Sequence, residues 1–222
     1  MAEPRFWVFD LDDTLYAEAD YVRSAFACAG DLVARLYGVQ HAAARLMAMK
    51  QAGQADPIAA LWAEAGLPSA GRAGVIAAMR AHVPDIRLRP GAKDVLDRLR
   101  KSGRGFGVMT DGRSVTQRAK LAALQCLDAG LIMISQESGF EKPDARCYQA
   151  FEAHAPGARF GYVGDNPRKD FVGAHAAGWE TVMLADDGGH IHRQDQDYPA
   201  GHFARFTAAC WAEIGEVIDG CA

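Results

Sequence analysis

The chain has 222 residues, 50% of them apolar and 23% charged, enough for one full domain with a substantial insert and too apolar for disorder. Lys and Arg number 24 against 28 Asp and Glu, a net charge of −4, which excludes a polyanion such as nucleic acid as the main ligand. No apolar run reaches the roughly 18 residues that span a bilayer. The cysteines Cys28, Cys126, Cys147, Cys210 and Cys221 are scattered without CxxC spacing, the pattern of reduced thiols in a cytoplasm.

The N-terminal Met1-Ala2-Glu3-Pro4-Arg5 leads straight into a strand over Phe6-Trp7-Val8-Phe9, without the pattern of a signal peptide. That strand ends abruptly in Asp10-Leu11-Asp12-Asp13-Thr14. From 16 to 88 the chain shows helical patterns and no strand. Val22, Ala25, Phe26, Ala29, Leu32, Val33 and Leu36 make one apolar stripe, and Gly38, Asp56-Pro57, Gly66-Leu67-Pro68 and Pro84 punctuate the rest of this interval. Strands are then predicted at 105–109, 131–134, 160–163 and 181–184, alternating with helices at 91–102, 114–125, 143–154 and 168–177. Pro143 suits the first position of its helix. A Gly-, His- and Asp-rich loop over 186–202 precedes a last helix at 208–218. The strands lack polar alternation, so both of their faces are covered. The fold class is α/β, built of βαβ units around a parallel sheet.

Ligands of such sheets bind beyond the carboxyl ends of the strands, where this chain carries its polar clusters. Asp10 and Asp12, two apart, share a face of extended chain. One carboxylate can attack phosphorus while the other gives and takes a proton; alone, the pair also reads as a polar turn capping the next segment. Thr110-Asp111-Gly112 offers a hydroxyl and backbone amides at a helix start, a seat for phosphate, or simply a turn. Lys142 can pair with phosphate oxygens and keep a nucleophile ionised; a lone lysine is more often solvated surface. Asp165, in Gly164-Asp165-Asn166-Pro167-Arg168-Lys169-Asp170, is a hard oxygen donor suited to Mg²⁺, with Asp170 as a ligand, a brace, or a first-turn helix acid.

These four motifs in this order resemble the haloacid dehalogenase-like superfamily of aspartyl-nucleophile hydrolases. The matching stretches are Phe9-Asp10-Leu11-Asp12-Asp13-Thr14-Leu15, Met109-Thr110-Asp111-Gly112, Glu141-Lys142-Pro143-Asp144 and Gly164 through Asp170. The resemblance implies a Rossmann-like three-layer sandwich over 1–15 and 89–222, with 16–88 as an inserted α-helical cap. It implies Asp10 as nucleophile, Asp12 as general acid/base, Thr110 with Asp111 and Gly112 around the phosphate, and Lys142 as charge clamp. It also implies Mg²⁺ on Asp10, the Asp12 carbonyl and Asp165, with Asp170 nearby. Dehalogenating members lack the second carboxyl, so Asp12 favours a phosphatase acting on a small phosphorylated metabolite, a sugar phosphate or a nucleotide. The Phe-Asp-Leu-Asp-Asp-Thr-Leu-Tyr opening is similar to pyrimidine nucleotidases of the superfamily. A phosphomutase stays open as the alternative, with a 2-haloacid dehalogenase and a non-catalytic binding protein behind it. Phosphonate cleavage would need an imine-forming cap lysine, and Lys50, like Arg23 and Arg45, reads as solvated charge.

The remaining signals read as structure. His190, His192 and His202 lack neighbours at metal-ligand spacing, Cys147 lacks a base, and Trp7, Trp62, Trp179 and Trp211 read as packing.

Overall fold

The computed structural model describes residues 5–220; Met1 to Pro4, Cys221 and Ala222, including the start read as leaderless, lie outside them. Six strands, β1 (Arg5–Phe9), β2 (Phe106–Thr110), β3 (Leu131–Ile134), β4 (Arg159–Gly164), β5 (Glu180–Leu184) and β6 (Phe206–Ala208), form one sheet in the order β3-β2-β1-β4-β5-β6. Every pairing is parallel.

The two-residue period of β1 divides the core. Trp7 and Phe9 join one apolar cluster with Val95, Leu96 and Leu99 of α5 (Ala92–Lys101) and Trp211, Ile214 and Ile218 of α10 (Trp211–Gly220). Phe6 and Val8 join the opposite one with Cys147, Tyr148 and Phe151 of α8 (Ala145–His154) and Phe171 and Ala174 of α9 (Asp170–Ala176). Helices on both faces explain why the strands read as unbroken apolar runs.

Glycine lets the wide rings of β1 fit. Trp7 sits in register with Gly161, where a Cβ would lie 2.3 Å from the indole. Gly161→Val is therefore expected to cost about 2 kcal/mol or more of unfolding free energy despite the β-propensity of valine, as urea titration will measure. A loss below about 0.5 kcal/mol would mean the indole has room to move.

Between β1 and α5 lie α1 (Glu18–Tyr37), α2 (Ala42–Gln51), α3 (Pro57–Glu64) and α4 (Ser69–Ala81). They build a third apolar cluster from Phe26, Ala29 and Val33 of α1, Leu46, Ile58, Leu61, Trp62 and Val75. The predicted stripe of α1 packs into it except at its end, where Leu36 is 63% exposed beside the left-handed Gly38 that terminates the helix. The four tryptophans are all buried. Cys28, Cys126, Cys147 and Cys210 are free thiols. Among the described residues no helix is long and apolar enough to cross a membrane.

Three local expectations are corrected. Pro143 does not start α8: Asp144 caps it, its carboxylate accepting the Arg146 N–H at 2.9 Å, because a side-chain acceptor satisfies an orphan amide that proline cannot. The helix expected at 168–177 begins only at Asp170. The segment after the tail loop is not all helix, since Phe206–Ala208 adds an edge strand to β5 before α10 begins at Trp211.

Candidate active site

Strand order reverses at β1, which lies between β2 and β4, and the crevice at such a switch point is where a parallel sheet binds ligands. The Asp10 N–H donates to the Val163 carbonyl at 2.9 Å, so the sheet holds Asp10 one residue past β1. Asp165 follows β4 and Thr110 ends β2, flanking Asp10 on both sides.

Lys142 reaches this point from the segment between α7 (Ser135–Ser138) and α8. Its side chain is fully buried, and its three protons have three acceptors: Asp10 Oδ1 at 2.6 Å, Asp170 Oδ1 at 2.7 Å and the Tyr162 hydroxyl at 3.0 Å. Asp170 Oδ2 accepts the N–H groups of Asp165 and Asn166 at 3.2 and 2.8 Å. Asp170 is therefore saturated by the chain itself.

Asp165 is not. Its Oδ1 accepts from Thr14 Oγ1 at 3.3 Å, while the buried Oδ2 has no hydrogen-bond partner. Oxygens of Asp10, Asp165 and Asp170 lie within 4.8 Å of one another, and two of the three carboxylates, Asp10 and Asp170, pair with Lys142. Burial, and then the neighbouring carboxylates against the pull of Lys142, push Asp10 up to about 7. The same causes hold Asp165 well above the usual carboxylate range. For Lys142, Asp10 and Asp170 outweigh burial and keep the ammonium protonated far above its ordinary range.

Asp12 lies in a second network. Its Oδ1 accepts from the Tyr16 hydroxyl and from Lys120 Nζ at 2.6 Å, and its Oδ2 accepts from Gln117 Nε2 at 2.9 Å. Burial alone would raise Asp12, but the Lys120 ammonium and these hydrogen bonds hold it below the ordinary range. The Gln117 amide also donates to Thr110 Oγ1 at 2.6 Å.

Asp10, Asp12, Thr110, Asp111 and Asp165 line a cleft of about 130 Å³, joined by Glu18, Asn166, Lys169 and His192. Lys142 and Asp170 stand behind Asp10. The Asp111 carboxylate accepts from the Lys142 N–H at 3.2 Å and Lys169 Nζ at 2.8 Å, which makes it a brace. Gly112 does not line the cleft, and its N–H donates to Ser135 Oγ at 2.9 Å. In the helical segment Arg23 pairs with Asp20, and Arg45 with Glu64 at 2.8 Å, both at exposed positions.

The tail loop folds back over these strand ends. The Ile191 N–H donates to Asp13 Oδ2 at 2.7 Å, and Gln194 Nε2 donates to the carbonyls of Asp165 and Leu184 at 2.7 and 2.8 Å. Asp13 Oδ1 meanwhile accepts the Glu18 N–H at 2.8 Å, so one carboxylate pins both the start of α1 and the loop. The His190 side chain is buried with Nδ1 3.8 Å from Asp165 Oδ2, and His202 contacts the Pro167 carbonyl. Contrary to the spacing argument, Asp186, Asp187 and His190 bring ligand-type atoms within 4.8 Å of one another. Backbone amides on Asp186 and Arg89 on Asp187 already satisfy two of them.

Sequence reasoning missed Gln117, Lys120, Tyr16 and Tyr162. A signal for two of them existed in α6 (Ser114–Ala123), where Thr116, Gln117, Lys120 and Leu121 are buried while Val115 is 49% exposed. Its buried stripe is polar at helical spacing.

The family model "haloacid dehalogenase-like hydrolase" matches residues 7–178. Glyceraldehyde 3-phosphate phosphatase of Pyrococcus abyssi is 36% identical over 117 residues, 50% of this chain and 48% of that one. Ribulose-1,5-bisphosphate 5-phosphatase of Halopiger xanaduensis is 32% identical over 109 residues, 47% of this chain and 45% of that one. The chain thus spans about half the length of the curated relatives it matches. Among solved structures, the magnesium-bound HAD-hydrolase YfnB from Bacillus subtilis superposes with a TM-score of 0.68 at 18% identity, covering 98% of this chain and 99% of that one, a likeness of fold.

Proposed function

The chain belongs to the haloacid dehalogenase-like hydrolases, and we propose that it is a Mg²⁺-dependent phosphatase acting on a small phosphomonoester through an aspartyl-phosphate on Asp10. The observation that carries this reading is the buried Asp165 Oδ2, without a hydrogen-bond partner, grouped with oxygens of Asp10 and Asp170 that share the Lys142 ammonium. An all-oxygen donor set with one free carboxylate oxygen fits Mg²⁺. Asp10, the Asp12 carbonyl and Asp165 would hold it, with Asp170 as the brace already engaged by Lys142 and two amides. The ion supplies charge neutralisation for the transferring phosphoryl group.

The rest is the work of the side chains. Lys142 holds Asp10 Oδ1, which leaves Oδ2 to attack phosphorus. The Oδ2–P bond forms, the bond to the leaving oxygen breaks, and Asp12 gives that oxygen a proton. Asp12 then takes a proton from the water that attacks the aspartyl-phosphate, releasing phosphate and restoring Asp10. The chain's own donors keep Asp12 ionised at rest, the state the second half needs; a dianionic phosphate beside it favours the protonated state the first half needs. Thr110 and neighbouring amides orient the group. Residues 16–88 act as a cap over the cleft, since Glu18 at the start of α1 lines it. The free thiols of Cys28, Cys126, Cys147 and Cys210 suit a cytoplasmic setting.

The test is phosphate release from a panel holding triose phosphate, ribulose bisphosphate, phosphoserine, nucleoside monophosphates and p-nitrophenyl phosphate, with and without Mg²⁺. Release from at least one ester, abolished by chelation, is expected. Silence across the whole panel, the aryl ester included, would overturn the reading.

Binding of the ion has a readout besides activity. At a hundredfold excess over Kd, Mg²⁺ stabilises the fold by about 2.7 kcal/mol, a rise in Tm of roughly 5–10 °C for a chain of this size. Asp10 and Asp165 hold protons in the metal-free fold that the unfolded chain has lost by pH 5. The folded state then binds more protons than the unfolded one, so metal-free stability falls as pH rises from about 4 to about 7. The Mg²⁺-induced shift in Tm should therefore be larger at pH 8 than at pH 5. Equal shifts would contradict the assigned ligands.

A further inference from the structure

Lys120 is a lysine in a place where a helix ordinarily puts an apolar side chain. It lies on the buried face of α6, 4% exposed, and it pairs with the Asp12 carboxylate. Its Nζ also sits 4.3 Å from the ring centroid of Tyr21, which belongs to α1, while the Thr116 hydroxyl one turn earlier donates to the Arg80 carbonyl of α4. α6 thus touches the helical segment on one side and the proton-transfer carboxylate on the other. A helix face selected only for packing would be apolar. This one directs donors of two successive turns at Asp12, Gln117 on Oδ2 and Lys120 on Oδ1.

The two oxygens of Asp12 are not equivalent. Oδ1 accepts from both Tyr16 and Lys120, which fills its acceptor positions, whereas Oδ2 accepts from Gln117 alone. We infer that Lys120 is a positioning residue for Asp12, fixing Oδ1 by its ion pair so that Oδ2 is the oxygen that gives a proton to the leaving group and takes one from the attacking water. The inference rests on the phosphatase reading and adds to it a residue outside the four strand-end motifs. Tyr21 links the same ammonium to α1.

A leaving group's need for that proton separates this role from a merely structural one. An alkoxide departs poorly unless protonated, while p-nitrophenolate leaves unaided. In the full chain with Mg²⁺, Lys120→Met is expected to lower kcat/KM about 100-fold on an alkyl phosphate that the wild type hydrolyses, and by less than about 3-fold on p-nitrophenyl phosphate. The later hydrolysis of the aspartyl-phosphate, which Asp12 serves alike for both esters, lies beyond leaving-group departure and does not enter kcat/KM. Equal losses on the two substrates, or no loss on either, overturn the inference. Lys120→Gln, which keeps a donor in similar volume without the charge, is read by the same criterion and decides the matter should Lys120→Met fail to fold. A wild type that hydrolyses neither ester defeats the phosphatase reading itself, whereas an active wild type with proportionate losses defeats only the role of Lys120.

Discussion

Asp10→Asn is expected to lower kcat on p-nitrophenyl phosphate by roughly 10⁴-fold or more, with no loss of stability. The amide keeps the shape of the carboxyl and cannot form the bond to phosphorus. Its effect on the fold runs the other way from its effect on turnover. Burial raises Asp10 to about 7, so at pH 8 the folded chain holds a buried charge that it would rather lose. Removing that charge leaves Lys142 with Asp170 and Tyr162 as partners. The metal-free variant should then unfold in urea at a midpoint equal to or above the wild type, a separation of stability from activity that marks a side chain held in place for chemistry. Wild-type turnover in this variant would sink the covalent mechanism.

Lys142→Met is expected to lose both. It deletes the one ammonium between Asp10 and Asp170, and removing one partner of a buried ion pair costs about 3–5 kcal/mol. The folded-state pKa of Lys142 lies above its ordinary value, so its contribution is complete below about 10.5 and is lost only as pH rises through the higher folded value. The pH dependence at lower pH therefore comes from the carboxylates that the variant strands. Without the ammonium Asp10 takes up a proton more readily, and the unfolded chain, which binds fewer protons, gains as pH rises. The deficit relative to wild type should be smaller at pH 5 than at pH 8 in urea titrations with chelator present. An equal deficit at both would show that the two carboxylates do not depend on Lys142 for their charge.

The same physics made some elements legible in the sequence and hid others. Strands such as Phe6-Trp7-Val8-Phe9 are legible because both faces are buried, and their ends are legible because Asp10, Thr110 and Asp165 interrupt apolar runs. β6 escaped because three residues at a sheet edge carry too little pattern to stand out from a loop. Pro143 misled because its fixed backbone suits a helix start, yet Asp144 supplies the cap one residue later. Gly112 looked like a phosphate seat, but Ser135, 23 positions away, takes its N–H. Lys120 and Gln117 stayed hidden because a polar residue on a helix reads as solvated until the partner across the sheet is known. For Asp170 the sequence left ligand, brace and helix acid open; the hydrogen bonds it accepts favour the brace.

The placement of β1 between β2 and β4 also bears on how the chain reaches its native state. β1 is made first, and its partner on one side, β4, is synthesised roughly 150 residues later. At ribosomal rates of about 5–20 residues per second, Trp7 and Phe9 wait on the order of ten to thirty seconds for half of their sheet. The helices α1 to α4, whose apolar cluster is built from their own residues, can fold in the interval. The carboxylates at 10, 165 and 170 come together only when β4 docks, after β1, β2 and β3 have been made. An ion that binds them has no site in the nascent chain: it can lock the finished fold but cannot guide its formation.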